Sequence, residues 1–183
     1  APGIYKIYVK GLNGNSTTRN GNVKIGDNIA WSFSITNGTN QTSNSEEIVV
    51  YTVSVLSISC EGSSTSGLDW MDLVKTGDAP TSISCSVSTA GWATFCAPAD
   101  FVVANADEVY YAKAINEESV SLTALEAGAK VKAGEGVLIK TAGEHSFDLT
   151  TDATEIEGNR LVGVTSATEL TEGEAYILAN QDG

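Results

Sequence analysis

The chain holds one histidine, three cysteines, one methionine and three prolines in 183 residues. A single histidine excludes a histidine-rich zinc site. It also makes any Ser-His-Asp or Cys-His nucleophile depend on His145 alone. Cys60, Cys85 and Cys96 match no metal-binding spacing. Basic residues are scarce, 10 Lys/Arg against 23 Asp/Glu, a net charge of −13. A field of that sign repels phosphate backbones and anionic lipid, so no nucleic acid partner is expected. No apolar run approaches the roughly 18–20 residues of a membrane span, and no membrane insertion is expected. No signal peptide pattern is present. Gly134-Glu-Gly136 is followed by neither Gly-Lys-Ser/Thr nor a helix start, so it is no phosphate loop.

What is abundant points to strands and turns. Hydrophobic residues make up 42% of the chain, enough for a packed core, and glycine, serine, threonine and asparagine are plentiful. Residues 4–10 alternate, with Tyr5, Ile7 and Val9 on one face. A polar loop is expected over 11–22, ending in a short strand with Val23 and Ile25 before a Gly26–Asp27 turn. Ile29, Trp31, Phe33 and Ile35 share a face, with Ala30, Ser32 and Ser34 opposite. A second polar loop is expected over 37–45. Residues 48–60 are β-rich on both faces, as in a central or bulged strand. Residues 68–75 have no clean register and imply a bulge or a polar edge position. TGDAPTS at 76–82 is the linker candidate. Beyond it, strands are predicted at 83–88, 91–96, 108–114, 119–125, 136–140, 145–149, 161–164 and 175–179, with Val120, Leu122 and Ala124 forming one apolar side. Their spacing argues for a sandwich or barrel. The fold class is all-β, two β-sandwich-like modules in tandem, 1–78 and 82–183. Charge divides with them. Residues 1–80 carry 5 Lys/Arg and 7 Asp/Glu, and residues 81–183 carry 5 and 16.

Candidate chemistry is sparse. His145 shares a face with Phe147 and Leu149 and reads as structural. If 83–96 is a hairpin turning at Ala90–Gly91, Cys85 faces Cys96 or lies one position away. A disulfide is then possible, although free buried thiols are the commoner outcome. Glu46–Glu47, Asp107–Glu108 and Glu117–Glu118 are adjacent pairs whose side chains diverge on a strand, which prevents joint acid–base work. Asp69 and Asp72 flank Trp70, and calcium could use them with loop carbonyls, but solvated carboxylates are the simpler reading. Sugar rings stack on flat aromatic faces, so exposed tryptophan is the feature to seek. Trp31 and Trp92 read as packing residues. Trp70 with Asp72 is the one weak binding candidate. No catalytic residue, metal or cofactor is expected.

The ordered stretches VSTAGWATFCAPADFVV (87–103), DEVYYAKA (107–114), VKAGEGVLIK (131–140) and Tyr176-Ile177-Leu178 resemble a C-terminal β-sandwich module of secreted and surface proteins from gut Bacteroidetes. That family normally has a closing strand after the last motif, where this chain stops at Gly183. The first half resembles the C-terminal portion of a galactose-binding-like jelly roll, through Gly3, Tyr5, Val9, Lys10 and Gly11 and through Leu68 to Lys75. About five strands stand there against eight in a whole jelly roll, so N-terminal strands are expected to be missing and the chain to be a segment of a larger protein. The resemblance implies a non-catalytic accessory region, extracellular or at the cell surface, with a glycan and neighbouring domains as partners. The alternative is a structural or adhesive spacer without a small ligand. A third reading places a hydrolase domain outside this segment. If the source is bacterial, as the resemblance implies, the sequons at Asn15, Asn37 and Asn40 are a compositional accident.

Overall fold

A computed structural model describes residues 1–14, 17–36, 40–61, 66–104, 108–116 and 119–164. Every regular element among them is a strand, and the fold is all-β and sandwich-like. The chain divides into two compact units, Ala1–Pro80 and Thr81–Gly183.

In the first unit, β1 (Gly3–Asn13) is central. It is followed by β2 (Arg19–Ile25), β3 (Asn28–Ile35), β4 (Asn40–Asn44), β5 (Ile48–Val50), β6 (Leu56–Cys60) and β7 (Ser66–Gly77). One sheet places β7 along one side of β1, with β4 and β5 end to end along the other; the second sheet runs β3-β2-β6. Ile7 and Val9 from the first sheet meet Val23, Phe33 and Ile35 from the second in one buried cluster. The predicted 4–10 strand runs on to Asn13, into the expected loop. Asn13 is buried, and its side-chain amide donates to the carbonyls of Thr17 and Ile35, both at 2.9 Å, which gives this polar strand end its partners.

Three departures have local causes. Residues 40–44, expected as loop, form a strand with no apolar pattern. Pairing with β1 makes it, and buried Ser45 continues the seam. Its N–H donates to the Ile7 carbonyl (2.8 Å) and its Oγ accepts from the Ile7 N–H (2.9 Å). The apolar run 48–60 is not one strand. β5 belongs to one sheet and β6 to the other, and the chain crosses between them through 51–55, where Val53 and Val55 are exposed. On β3, Ala30 is an extra residue opposite the Val23–Lys24 step. That bulge turns Ile29 off the face of Trp31, Phe33 and Ile35 and leaves it 57% exposed.

The second unit contains β8 (Ser82–Val87), β9 (Trp92–Cys96), β10 (Phe101–Val102), β11 (Glu108–Asn116), β12 (Ser119–Ala124), β13 (Lys130–Val131), β14 (Gly136–Lys140) and β15 (Gly143–Asp148). Four strands pair as β12-β11-β14-β9. The pairs β15-β8 and β10-β13 are joined by a bridge from Phe101 to Leu149. The rings of Phe95, Phe101 and Phe147 pack together with centroids 4.9–5.7 Å apart, beside Val109, Val137 and Ile139. β12 forms where expected, but its apolar side is not covered: Val120, Leu122 and Ala124 are all exposed. Among the described residues, the 161–164 stretch forms only an isolated bridge, Glu135 to Val162. The strand predicted at 175–179, the carboxylates Asp107, Glu117 and Glu118, and Asn15 and Asn37 lie outside the described residues.

The expected 83–96 hairpin is corrected. β8 pairs with β15 and β9 with β14, so Cys85 faces His145 and Cys96 faces Gly136. The turn is closed by the Gly91 N–H on the Ser88 carbonyl (2.9 Å), with Gly91 left-handed at φ 78°. It is a corner that hands the chain from one sheet to another. A left-handed glycine suits either geometry, so the sequence did not separate them. All three cysteines are free.

Candidate functional site

The ambiguous register of residues 68–75 is settled by a bulge. Lys10 pairs with Trp70 and Gly11 with Leu68, leaving Asp69 as the extra residue on β7. Its carboxylate turns to the Lys10 ammonium at 3.1 Å. Leu68 therefore sides with Leu73 and Met71 on the inner face, opposite Gly11, Ile7 and Val9. Trp70, Asp72 and Val74 share the outer face with Lys10, Tyr8 and Lys6. Trp70 is 42% exposed and Asp72 is exposed. The structure thus brings the two predicted binding residues to one sheet face, two positions apart. Asp72 makes no hydrogen bond or ion pair with another described residue. Asp69 is engaged by Lys10, and no group of three or more His, Cys, Asp or Glu among the described residues could hold a metal.

Sequence reasoning singled out one strand and missed the residues beside it. Tyr8 stands directly opposite Asp72 on one side and Asn44 on the other; Lys10 stands between Trp70 and Thr42. Thr42 and Asn44 belong to the strand that the sequence presents as loop, which is why they were not found. At the far end of β7, Lys75 and Asp78 pair at 2.8 Å. The hydrogen bond holds the Asp78 carboxyl below its ordinary range and the ammonium above.

The other two tryptophans are half-buried. Trp31 packs on Phe33, centroids 5.2 Å apart. Trp92 lies 5.4 Å from Tyr110, with the Lys140 ammonium 5.7 Å from its ring centre. A cavity of about 50 Å³ in the first unit is lined by Tyr5, Ile7, Ile25, Ile48, Leu56 and Leu73 among others; it has room for a few water molecules.

Cys85 and His145 sit side by side, but not as a nucleophile and its base. Burial first, then the Glu144 carboxylate, pushes the Cys85 thiol up, the reverse of activation. The His145 Nε2–H donates to the Thr141 carbonyl at 2.8 Å. Thr141 is left-handed at φ 87°, held there by its N–H on the Gly91 carbonyl (2.9 Å) and its Oγ1–H on Glu108 (3.1 Å). The histidine thus braces a strained turn.

No family model, curated protein or solved structure matches this chain.

Proposed function

We propose that this chain is a non-catalytic accessory region of a secreted or cell-surface protein that binds carbohydrate weakly through Trp70 and Asp72. One observation carries the reading. Trp70 is the most exposed of the three tryptophans and shares its sheet face with a carboxylate that has no partner among the described residues. An indole offers a flat apolar plane to the C–H face of a sugar, and a free carboxylate accepts hydrogen bonds from its hydroxyls. The ordered motifs of residues 87–178 support the accessory role by resemblance. Affinity electrophoresis through polysaccharide gels tests it. The protein is expected to be retarded, and Trp70→Ala to remove most of the retardation, about tenfold in affinity. Equal mobility in every gel would end the proposal.

A second reading, an adhesive spacer, draws on the outer edge of β7. Among the described residues it pairs only with β1, and it exposes Leu68, Met71, Leu73 and Val74. Concentration-dependent association of the protein in sedimentation, without glycan retardation, would favour it.

A further inference from the structure

Resting on the carbohydrate reading above, we infer that the ligand is a neutral polysaccharide lying flat across β7, β1 and β4, on a platform that extends from Trp70 and Asp72 to Tyr8, Thr42 and Asn44. The strand register lays out two cross-strand rows on the outer face, Asp72–Tyr8–Asn44 and Trp70–Lys10–Thr42. Strands lie about 4.8 Å apart, so each row spans roughly 10 Å. Trp70 and Tyr8 are diagonal neighbours, about 7–8 Å apart. Two aromatic planes so placed suit two sugars of one chain, with polar groups on either side to receive the hydroxyls.

The polar groups on this face are unspent. Among the described residues, the Tyr8 hydroxyl, the Thr42 hydroxyl, Asp72 and the Lys6 ammonium make no side-chain hydrogen bond or ion pair. Asn44 uses its Nδ2 on the Ser45 carbonyl (3.2 Å) and keeps its Oδ1 free. The outer face of the opposite sheet is different. There Ser32 donates to Asn22 (2.8 Å) and Ser34 to Asn20 (2.9 Å), so those polar groups satisfy one another across β2 and β3. A face whose donors and acceptors are left open beside two aromatic rings is built to take hydrogen bonds from outside.

Charge selects the class of glycan. Lys6 and Lys10 balance Asp69 and Asp72, so the platform is neutral where it meets the ligand. The unit that carries the platform holds 5 basic and 7 acidic side chains, and a surface with that small acidic excess offers no attraction to a uronate or sulfated polymer. The surface is an open sheet face, and the cavity of about 50 Å³ described above is too small for a sugar ring. Affinity should therefore grow with the number of rings laid down.

The test uses the full chain in gels of neutral polymers (mannan, xyloglucan, galactan, β-glucan) and of polygalacturonate, followed by calorimetry with oligosaccharides of increasing length. Retardation by at least one neutral polymer, unaffected by added salt, is expected, with tighter binding for longer oligosaccharides. Asn44→Ala and Tyr8→Leu should each weaken binding about fivefold, as for one lost hydrogen bond or stacking plane. Asn44 is exposed, so its variant keeps the parent's thermal midpoint and separates ligand loss from misfolding. Binding confined to polygalacturonate overturns the neutral class. Loss on Trp70→Ala with no loss on Asn44→Ala or Tyr8→Leu overturns the platform. Either result leaves the carbohydrate reading standing, whereas no retardation by any polymer removes both.

Discussion

Gly21 lies under the ring of Phe33, and a Cβ there would enter the ring; Gly67, on β7, has open space around it. Gly21→Ala is therefore expected to cost about 1–3 kcal/mol by overpacking. Gly67→Ala should change stability by less than about 1 kcal/mol. Urea midpoints of the two variants check the contrast, and equal midpoints would mean that Phe33 does not lie where it is described. The thiols supply a pH dependence. Burial raises Cys60, Cys85 and Cys96 above their ordinary value of 9.0. Above pH 9.0 the unfolded chain sheds these protons while the folded chain retains them. Their contribution is thus complete below that value and is lost as pH rises through the folded values. A Cys85→Ala/Cys96→Ala protein should lose stability less steeply above pH 9.0 than its parent. At this scale the sequence was most legible where alternation was unbroken. Trp31, Phe33 and Ile35 face inward as their spacing predicts, while Ile29 does not, because no residue type marks the bulge at Ala30. Tyr8, Thr42 and Asn44 left no signal of their own, since only pairing through β1 brings them beside Trp70.

Elements built on side-chain period were readable; elements built on pairing were not. β1, β3, β8, β9, β11, β12, β14 and β15 fall within a few residues of the predicted strands. β4 has no apolar residue, and the two-residue strands β10 and β13 are too short to show a period. Which strand neighbours which was least legible of all, as the corner at Gly91 shows. β7 allows the register argument to be tested directly. Removing Asp69 would delete the extra residue and leave Leu68 facing inward and Trp70 outward in a regular ladder. The loss is the exposed Lys10–Asp69 ion pair, worth up to about 1 kcal/mol. Removing Met71 instead would shift one side of the strand by one residue and send its side chains to the wrong faces. The first deletion is expected to unfold near the parent's urea midpoint and the second well below it. Equal midpoints would refute the bulge.

Charge acts on the molecule as a whole. Of the −13, residues 81–183 hold 16 carboxylates against 5 basic side chains. Three of those five are already committed, Lys130 to Asp152, Lys132 to Glu155 (2.8 Å) and Lys140 to Glu108 (3.7 Å). The large excess of carboxylates over basic side chains remains, and self-repulsion of that kind opposes the compact state. Salt acts on both terms. It weakens the three exposed pairs, each worth about 0–1 kcal/mol, and it screens the longer-range repulsion once the Debye length falls to about 10 Å near 0.1 M. With many more acids than bases, the second effect is the larger. The thermal midpoint is expected to rise with sodium chloride, more for unfolding of residues 81–183 than for residues 1–80, where 5 basic residues face 7 acidic ones. Calorimetry across a salt series, with a tryptophan reporter left in each unit, reads the two transitions separately. A midpoint that falls with salt would show that the ion pairs outweigh the repulsion, and that the acidic surface is stabilised by its lysines.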